Sequence, residues 1–476
     1  MTSVLARLAA LASLAVPTLA ACAQRAPTTT AAVAATDFAR VDSAVGAELR
    51  RTHTPGAAVA LVSGDRVVYA KGFGTTSQDG GAPAVTPATL FRIASVTKVF
   101  TATTLVSLAE SGRVDLEAPI GARLGEELPA PYRALTPHQL LSHTAGLTMG
   151  PIPPGGSDPA GALAAATRLL PARAVFAPAG ETFSYSNLGY LIAGRLIEVA
   201  GGRSYAEQVR QSLLVPLGMT ATTFDSAAAA ARGDVARGFV EPAAGPGAPP
   251  SSGGAESWPF AGLYSSVLDL SRFAVAFVNG GRYEGRQVFS PATIARVAKP
   301  VAPYRSGEGD YGYGVRVYRH RGVDVVEHGG RGLDGFRSLL YMVPSRHVAV
   351  VVLANRAGRR PYDVADAALD ALLPGALEPV AAAPPPVAMD SAEMARYVGR
   401  YASGMVVDVA VENGTLTLRP GGAAAGGAPL PIRKLADGRF VAGGEDAGGW
   451  LAFVTGPDGA VKYLHFNMRA FRRVGS

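Results

Sequence analysis

The 476-residue chain contains very little cysteine, lysine and charge. Its single cysteine, Cys22, cannot form a disulfide within the chain, so the fold must be stable without one. Charged side chains make up 17% of the residues, and only five of the 44 basic residues are lysines. Because the arginines are spread along the chain without a basic run, the net charge of +7 gives little support to a nucleic-acid partner, and we expect none.

The sequence motifs of several hydrolase classes are also missing. No G-x-S-x-G elbow occurs, which argues against an α/β-hydrolase. Neither H-E-x-x-H nor a cysteine cluster occurs, so a metal hydrolase would lack ligands, and we expect no metal and no cofactor. Hydrophobic residues, in contrast, make up 48% of the chain, which predicts a large core and excludes disorder on the scale of the whole chain.

The first residues resemble an export signal. The apolar stretch 8–21 is shorter than the roughly 18–20 residues that a membrane span needs, and Pro17 interrupts it. The stretch runs into the letters LAAC, which end at Cys22 and resemble a bacterial lipobox, whose cysteine becomes the lipidated N-terminus. We therefore predict a lipoprotein signal peptide over 1–21, a tether over 22–36 and a membrane anchor at Cys22. An ordinary signal peptide, or an amphipathic helix without a targeting role, is the alternative.

The order of helical and strand patterns predicts an α/β protein of the α+β type. Apolar residues recur at helical spacing in 37–52, and two β-branched runs follow around a Ser-Gly-Asp turn. Helical patterns dominate from 113 to 300, and strand patterns then return before a last helix. We therefore predict, over 37–375, an antiparallel sheet that is split in the sequence, flanked by helices and interrupted by an inserted all-helical domain.

The remaining residues predict a second, smaller unit. Residues 376–390 are rich in proline and alanine, as in a linker. Residues 391–476 consist almost entirely of short strand patterns that are separated by turn signals such as Asn413-Gly414. This pattern predicts a small β-domain, which could be a barrel.

A serine and a lysine provide the first candidate for catalysis. Ser95 and Lys98 lie three residues apart at the start of a long apolar pattern, so a helix would place them on one face. At a helix N-terminus the backbone N–H of Ser95 lacks an intrahelical partner and could bind an oxyanion. Apolar surroundings and the positive helix end disfavour an ammonium, so Lys98 could act as a free amine that takes the hydroxyl proton.

Two further motifs follow in the chain. Tyr185-Ser-Asn187 precedes a helical pattern, and His328-Gly-Gly330 ends a strand pattern. Each motif alone is uninformative, because a loop tyrosine or a core histidine occurs often by chance. All three motifs in this order have a chance on the order of 0.01, before each is required to lie in a suitable element.

The series Ser-x-x-Lys, Tyr-x-Asn and His-x-Gly resembles the serine β-lactamase and penicillin-binding-protein superfamily, especially its class C β-lactamase-related branch. The runs LLSHTAGL (140–147), GLYSS (262–266) and HVAVVVLAN (347–355) are similar to that branch as well. The resemblance covers about residues 40–375. It implies the β-lactamase/transpeptidase-like fold, and similar proteins often carry a C-terminal lipocalin-like β-domain, which would suit 391–476.

The resemblance implies a serine hydrolase that forms an acyl-enzyme. Ser95 would be the nucleophile and Lys98 the amine that activates it. Tyr185 would be the shared acid and base, since a nearby Lys98 favours its phenolate.

The resemblance also implies the groups that bind the substrate. Asn187 would hold a substrate amide, and the His328–Gly330 motif would line the site. The backbone N–H groups of Ser95 and Arg331 would form the oxyanion hole. His328 stands where many relatives have lysine, a departure seen in related D,D-peptidases, D-aminopeptidases and esterases, which puts antibiotic hydrolysis in doubt.

Two other motifs can be set aside. His143 could act as a base, but a loop histidine more often bonds the backbone, and we expect a structural role. The run from Gly330 to Gly335 matches G-x-G-x-x-G, but a strand follows it and not a helix, so we expect no nucleotide site.

The leading hypothesis is an exported, cell-envelope serine hydrolase that cleaves an amide or ester. Its substrate would be a small molecule or peptide: a D-amino-acid peptide, a small ester or, less in keeping with His328, a β-lactam. The alternative is a penicillin-binding or ligand-sensing envelope protein that does not turn over its ligand. The sequence leaves the oligomeric state open.

Overall fold

The computed structural model describes residues 38–240, 253–305, 307–356, 358, 361–422, 428–443 and 449–475. The predicted signal peptide, the tether and Cys22 therefore lie outside the described residues. Within these ranges, no helix is both long enough and apolar enough for a membrane crossing.

Helices and strands are interspersed along residues 38–374. The helices are α1 (Ala39–Thr52), α2 (Thr97–Glu110), α3 (Gly121–Leu124), α4 (Pro137–Leu141), α5 (Ala162–Arg168), α6 (Asn187–Gly201), α7 (Tyr205–Val209), α8 (Ser226–Ala231), α9 (Trp258–Ala261), α10 (Val267–Val278), α11 (Pro291–Val297) and α12 (Tyr362–Leu372). The strands are β1 (Gly56–Ser63), β2 (Arg66–Gly74), β3 (Phe91–Arg92), β4 (Tyr264–Ser265), β5 (Arg282–Tyr283), β6 (Arg286–Gln287), β7 (Ala302–Pro303), β8 (Asp310–Tyr311), β9 (Arg316–His320), β10 (Val323–Arg331), β11 (Arg337–Val343) and β12 (Val348–Ala354).

The main sheet is antiparallel and joins the two ends of this region. Its order is β2-β1-β12-β11-β10-β9-β8-β7, and β1 pairs with β12 so that Val59 lies opposite Val352. Both central strands are buried on two faces, because α1 and α12 pack on one side and α2 and α10 on the other. The predicted sheet, split in the sequence and flanked by helices, is confirmed.

The helical segment between β2 and β7 contains the deeply buried helix α2. α2 is apolar or threonine-bearing on all sides, and nearly all of its residues from Thr97 to Leu108 are buried against α6, α9 and α11. Ser266 is the N-cap of α10, since its side chain accepts a hydrogen bond from the Asp269 N–H.

The C-terminal residues form a closed barrel. Its elements are β13 (Pro386–Val387), α13 (Ser391–Tyr397), β14 (Gly399–Ala402), β15 (Val406–Glu412), β16 (Thr415–Pro420), β17 (Leu430–Leu435), β18 (Phe440–Ala442), β19 (Gly449–Thr455), β20 (Val461–Phe466) and β21 (Arg469–Val474). The strands β14 to β21 close into a ring through the pairing of β17 with β18. β13 lies in the predicted linker and pairs with β17. The predicted barrel is confirmed.

Candidate active site

Ser95 lies on a single 3-10 turn, Ala94–Val96, that leads into α2. The α-helix begins two residues later than expected, at Thr97. The Thr97 hydroxyl donates to the Ala94 carbonyl at 2.7 Å and also accepts from the Leu263 N–H at 3.3 Å. Ala94 has a φ of 45°, a strained value for a residue with a side chain. The turn therefore places Ser95 at the N-terminus of α2.

Lys98 is completely buried one turn beyond Ser95. Its Nζ lies 3.3 Å from Ser95 Oγ and donates to Asn187 Oδ1 at 2.8 Å and to the Phe260 carbonyl at 3.0 Å. Burial lowers the pKa of Lys98 well below its ordinary value. A neutral amine has two N–H groups and one lone pair. A neutral Lys98 would give its two N–H groups to the two carbonyl oxygens and would then turn its lone pair toward Ser95 Oγ.

Tyr185 is buried beside this pair, in the loop before α6. Lys98 Nζ lies 4.7 Å from the centre of the Tyr185 ring. The next residue, Ser186, caps α6 through its hydroxyl, and its backbone N–H donates to His143 Nδ1 at 3.1 Å. On the other side, the Tyr185 N–H donates to the Met468 carbonyl at 2.9 Å. The tyrosine backbone is thus held from both directions.

The end of β10 forms the opposite wall of the site. His328 Nδ1 contacts the Gly329 carbonyl at 2.8 Å, which requires a proton on Nδ1, and Nε2 lies 3.0 Å from Tyr311 Oη. A side chain at Gly330 would overlap the Ile93 carbonyl at 2.3 Å and Ser338 Oγ at 2.2 Å. Only glycine lets β10 approach the turn that carries Ser95.

Arg331 ends β10 with its backbone turned toward the site. The Gly332 N–H donates to the Phe336 carbonyl of the facing segment at 2.9 Å. In an antiparallel pair of strands, the N–H groups of successive residues point alternately toward and away from the partner strand. The Arg331 N–H therefore points away from β11, to the side on which β9 is no longer paired with β10. The structure therefore brings together six of the predicted site residues: Ser95, Lys98, Tyr185, Asn187, His328 and Gly330. Arg331 directly follows Gly330 in the chain, whereas Cys22 lies outside the described residues.

A cluster of aromatic rings surrounds the site, and the sequence motifs did not identify it. His143 is buried, and its ring lies 4.3 Å from Tyr185, 5.1 Å from Tyr190 and 5.0 Å from Tyr311. Burial lowers the pKa of His143 well below its ordinary value. Because its Nδ1 accepts from backbone, His143 supports the loop of Tyr185, as expected. No local sequence pattern could predict that Tyr311 lies in this cluster, because it is more than 100 residues from Tyr185 in the chain.

The barrel also reaches the site, which the sequence left open. Its β20–β21 hairpin contributes the Met468 carbonyl that binds the Tyr185 N–H. The Ala470 N–H donates to Ser184 Oγ at 3.3 Å, and His465 Nε2 lies 2.9 Å from Thr182 Oγ1. The loop that carries Tyr185 is therefore bound by the second unit of the chain. Among the described residues, no group of three or more His, Cys, Asp or Glu side chains is placed to hold a metal ion.

Comparison with known proteins decides the family. The family model described as Beta-lactamase matches residues 41–374, which is most of the chain. The chain belongs to the Beta-lactamase family. Among curated relatives of this β-lactamase-family protein, the unguisins hydrolase ungD' of Aspergillus campestris is 30% identical over 345 residues, which are 67% of the chain and 61% of that relative. The chain spans about three-fifths of the length of the curated relatives it matches.

Solved structures extend the similarity to the barrel. SurE matches with a TM-score of 0.70 and 26% identity over 92% of this chain and all of its own. A class C β-lactamase from Rhodobacter sphaeroides matches the fold with a TM-score of 0.55 and 21% identity, over 70% of this chain and 98% of its own. A match over 92% of this β-lactamase-family protein must include much of the barrel.

Proposed function

We propose that this β-lactamase-family protein is a serine hydrolase that cleaves an amide or ester through an acyl-Ser95 intermediate. The observation that carries the proposal is the buried amine of Lys98, which lies 3.3 Å from Ser95 Oγ with two carbonyl oxygens on its other sides. A neutral amine at this position is a base for the hydroxyl proton. The similarity to a relative that is named a hydrolase agrees with an enzyme.

Acylation begins when Ser95 Oγ attacks the substrate carbonyl carbon and its proton passes to Lys98 Nζ. The backbone N–H groups of Ser95 and Arg331 stabilise the oxyanion. Tyr185 gives its phenolic proton to the leaving nitrogen or oxygen as the bond to the carbonyl carbon breaks, and it regains a proton from Lys98. Water then attacks the acyl carbon, its proton returns through Tyr185 to Ser95 Oγ, and the acid is released.

The binding groups favour a peptide-like substrate. Asn187 Oδ1 is held by Lys98, which orients the amide so that its Nδ2 can donate to a substrate carbonyl. His328 replaces the lysine of many relatives, and its Nε2 accepts from the Tyr311 hydroxyl because the ring proton is on Nδ1. A D-amino-acid peptide or a small ester therefore fits the proposal better than a β-lactam does.

Active-site labelling tests the nucleophile. We expect a fluorophosphonate or a fluorescent penicillin to label the wild type, and Ser95→Ala to lose the label completely. Ser111→Ala is the matched control, because this serine lies exposed at the other end of α2 and should label as the wild type does. Equal labelling of Ser95→Ala would refute the assignment. Label that is never released would favour a binding protein without turnover.

We also propose export and a lipid anchor at Cys22, on the sequence motif alone. In a bacterial host, the wild type should sediment with membranes and Cys22→Ala should move to the soluble fraction. An unchanged distribution would contradict the anchor and would leave the proposal for Ser95 unaffected.

A further inference from the structure

A buried ion pair joins the strand that leads to Ser95 and the turn that follows Arg331. Arg92 Nη1 on β3 donates to Asp334 Oδ2, in the turn 332–336 between β10 and β11, at 2.7 Å. The two side chains are only 6% and 13% exposed, so salt and water screen the pair little. Arg92 lies three residues before Ser95 in the chain. Asp334 lies three residues after Arg331. The ion pair therefore connects the two backbone segments that carry the proposed oxyanion donors.

The Asp334 carboxylate also lies against the backbone next to Arg331. A Cβ atom on Gly332 would come within 2.1 Å of Asp334 Oδ1. Glycine at this position therefore leaves the room that the carboxylate occupies. One carboxylate oxygen thus faces the residue that follows Arg331, while the other binds Arg92. A displacement of the carboxylate would be passed on to the Gly332 backbone and to the Arg331 N–H.

The residues on both sides of Arg92 contact the same hairpin. The rings of Phe91 and Phe336 meet edge to face with 6.4 Å between their centres. Ser338 Oγ donates to the Ile93 carbonyl at 2.6 Å. The end of β3 is thus joined to the start of β11 by an aromatic contact, an ion pair and a hydrogen bond in successive residues.

Of these three contacts, the ion pair is the one nearest to the tip of the turn. Leu333 at the tip is 79% exposed, so packing of its side chain does not hold the turn in place. The planar guanidinium of Arg92 gives its bond to Asp334 a fixed direction, which an apolar contact would not give.

The position of this turn matters for chemistry because an oxyanion hole needs two N–H groups that point at one oxygen atom. A displacement of about 1 Å at a reacting centre can lower a rate about 100-fold. The Ser95 N–H belongs to the segment that β3 leads into, and the Arg331 N–H belongs to the end of β10. Their spacing therefore depends on how firmly the two segments are joined.

We propose that Arg92 and Asp334 are a positioning pair that fixes the spacing between the backbone N–H groups of Ser95 and Arg331. This inference rests on the proposed hydrolase function, because it assigns the pair a role in stabilising the oxyanion that forms during acylation. Neither side chain touches the substrate or a reacting atom in this account. The pair acts on the chemical step and not on reversible binding.

Saturation kinetics of fluorophosphonate labelling test the proposal with the full-length chain. Ser95 Oγ attacks the phosphorus atom, fluoride leaves, and the phosphonyl oxygen gains negative charge in the transition state. In Asp334→Asn the rate at saturation should fall about 10- to 100-fold, because the two donors are no longer aligned on that oxygen. The probe concentration at half-saturation should stay within about twofold of the wild type, since the donors act in the transition state.

The control is a second ion pair away from the site. Arg195 Nε donates to Glu127 Oε1 at 2.6 Å, and Arg195 lies eight residues beyond Asn187 on α6, which is about 12 Å along the helix. Glu127→Gln should destabilise the chain in urea as Asp334→Asn does, and it should label at the wild-type rate. An equal fall of the rate in both variants would indicate a general effect of lost stability and would overturn the proposal. A wild-type rate in Asp334→Asn would overturn it as well.

Two further variants test whether the side chains act as a pair. Arg92→Met combined with Asp334→Asn should label about as slowly as Asp334→Asn alone, because both changes remove the same interaction. Effects that multiply would overturn the pairing. Arg92→Lys keeps the charge and loses the planar fork, so its rate at saturation should fall at least about threefold. If Asp334→Asn does not fold, a wild-type rate in Arg92→Lys overturns the proposal.

Hydrogen exchange separates this inference from the proposed function. The amide hydrogens of residues 328–338, which include the Gly332 N–H bonded to the Phe336 carbonyl, should exchange faster in Asp334→Asn than in the wild type or in Glu127→Gln. If the wild type takes no label but this segment exchanges faster in Asp334→Asn, the proposed function fails and the pair still positions the turn. If Ser95 is labelled and Asp334→Asn changes neither exchange nor labelling, only this inference fails.

Discussion

The interiors of the two units are built from different residues. The barrel is filled by apolar side chains, among them Tyr401, Leu418 and Phe471, which leave its strands with a packed core. The region 38–374, in contrast, buries Lys98 and His143 in the middle of its core. Burying such groups costs stability unless each finds partners, so their presence is typical of a functional site. The barrel contacts this candidate site through its hairpin edge and not through its interior.

In the alternative of a ligand-sensing protein, the barrel could hold a lipophilic ligand. The inward side chains that meet in the barrel occupy the space that such a ligand would need. The hairpin, on the other hand, places the Met468 carbonyl next to the Tyr185 N–H and the Ala470 N–H next to Ser184 Oγ. The barrel therefore contacts the candidate site through the hairpin.

The largest expected effect comes from removing the buried amine. Lys98→Met should lower the rate of Ser95 labelling about 10³-fold, because the base for the hydroxyl proton is lost. Methionine keeps the length of the side chain, so the fold should persist. The matched control is Lys299→Met at an exposed site, which should label at the wild-type rate. A rate within 10-fold of the wild type would contradict the role of Lys98.

The same variant makes a prediction about pH. The pKa of Lys98 is lower in the folded than in the unfolded chain, so between those two values the unfolded chain binds more protons. The free energy of unfolding of the wild type should therefore rise with pH relative to Lys98→Met, by up to about 1.4 kcal/mol per pH unit, until the ordinary lysine pKa is reached. Urea unfolding of both proteins at several pH values between 7 and 10 measures the difference, and parallel curves would contradict it.

An intermediate effect is expected from the apolar interior of the barrel. Leu418→Ala removes a fully buried side chain and should lower the free energy of unfolding by about 2–5 kcal/mol. Val411→Ala, at an exposed position on the neighbouring strand, should change it by less than about 0.5 kcal/mol. Denaturant titration measures both. If Leu418→Ala cost as little as Val411→Ala, the barrel interior would not be packed as described.

The smallest effect concerns His465, where the two units meet. Burial lowers its pKa to about 3, and its Nε2 contacts Thr182 Oγ1. Between pH 3 and the ordinary histidine pKa the unfolded chain binds the extra proton, so stability is lost as pH falls. Between pH 7 and pH 5, the wild type should lose about 2 kcal/mol more than His465→Gln does. Exposed His53→Asn is the control and should follow the wild type; an equal loss in His465→Gln would contradict the prediction.

Local patterns in the sequence were enough to predict much of the candidate site. The spacing of Ser95 and Lys98 places both on one turn whatever surrounds them, because helical geometry is local. The Tyr185 and His328 motifs were recognised by their order in the chain, and the fold brings them together. The start of α2 was predicted two residues early, since the hydroxyl of Thr97 and the Leu263 backbone, distant in sequence, fix the first turn.

Other parts of the site could not be predicted from the sequence. Tyr311 and Met468 have no motif around them, and their places depend on how β8 and the β20–β21 hairpin meet the Tyr185 loop.

The sequence by itself determined the split sheet, the barrel and the proximity of Ser95 to Lys98, because hydrophobic periodicity and short spacings act within a single element. Only the tertiary structure decided that Lys98 is buried between two carbonyl oxygens and that the barrel hairpin touches Tyr185. Burial and contacts between distant segments arise when elements pack, and no local pattern encodes them.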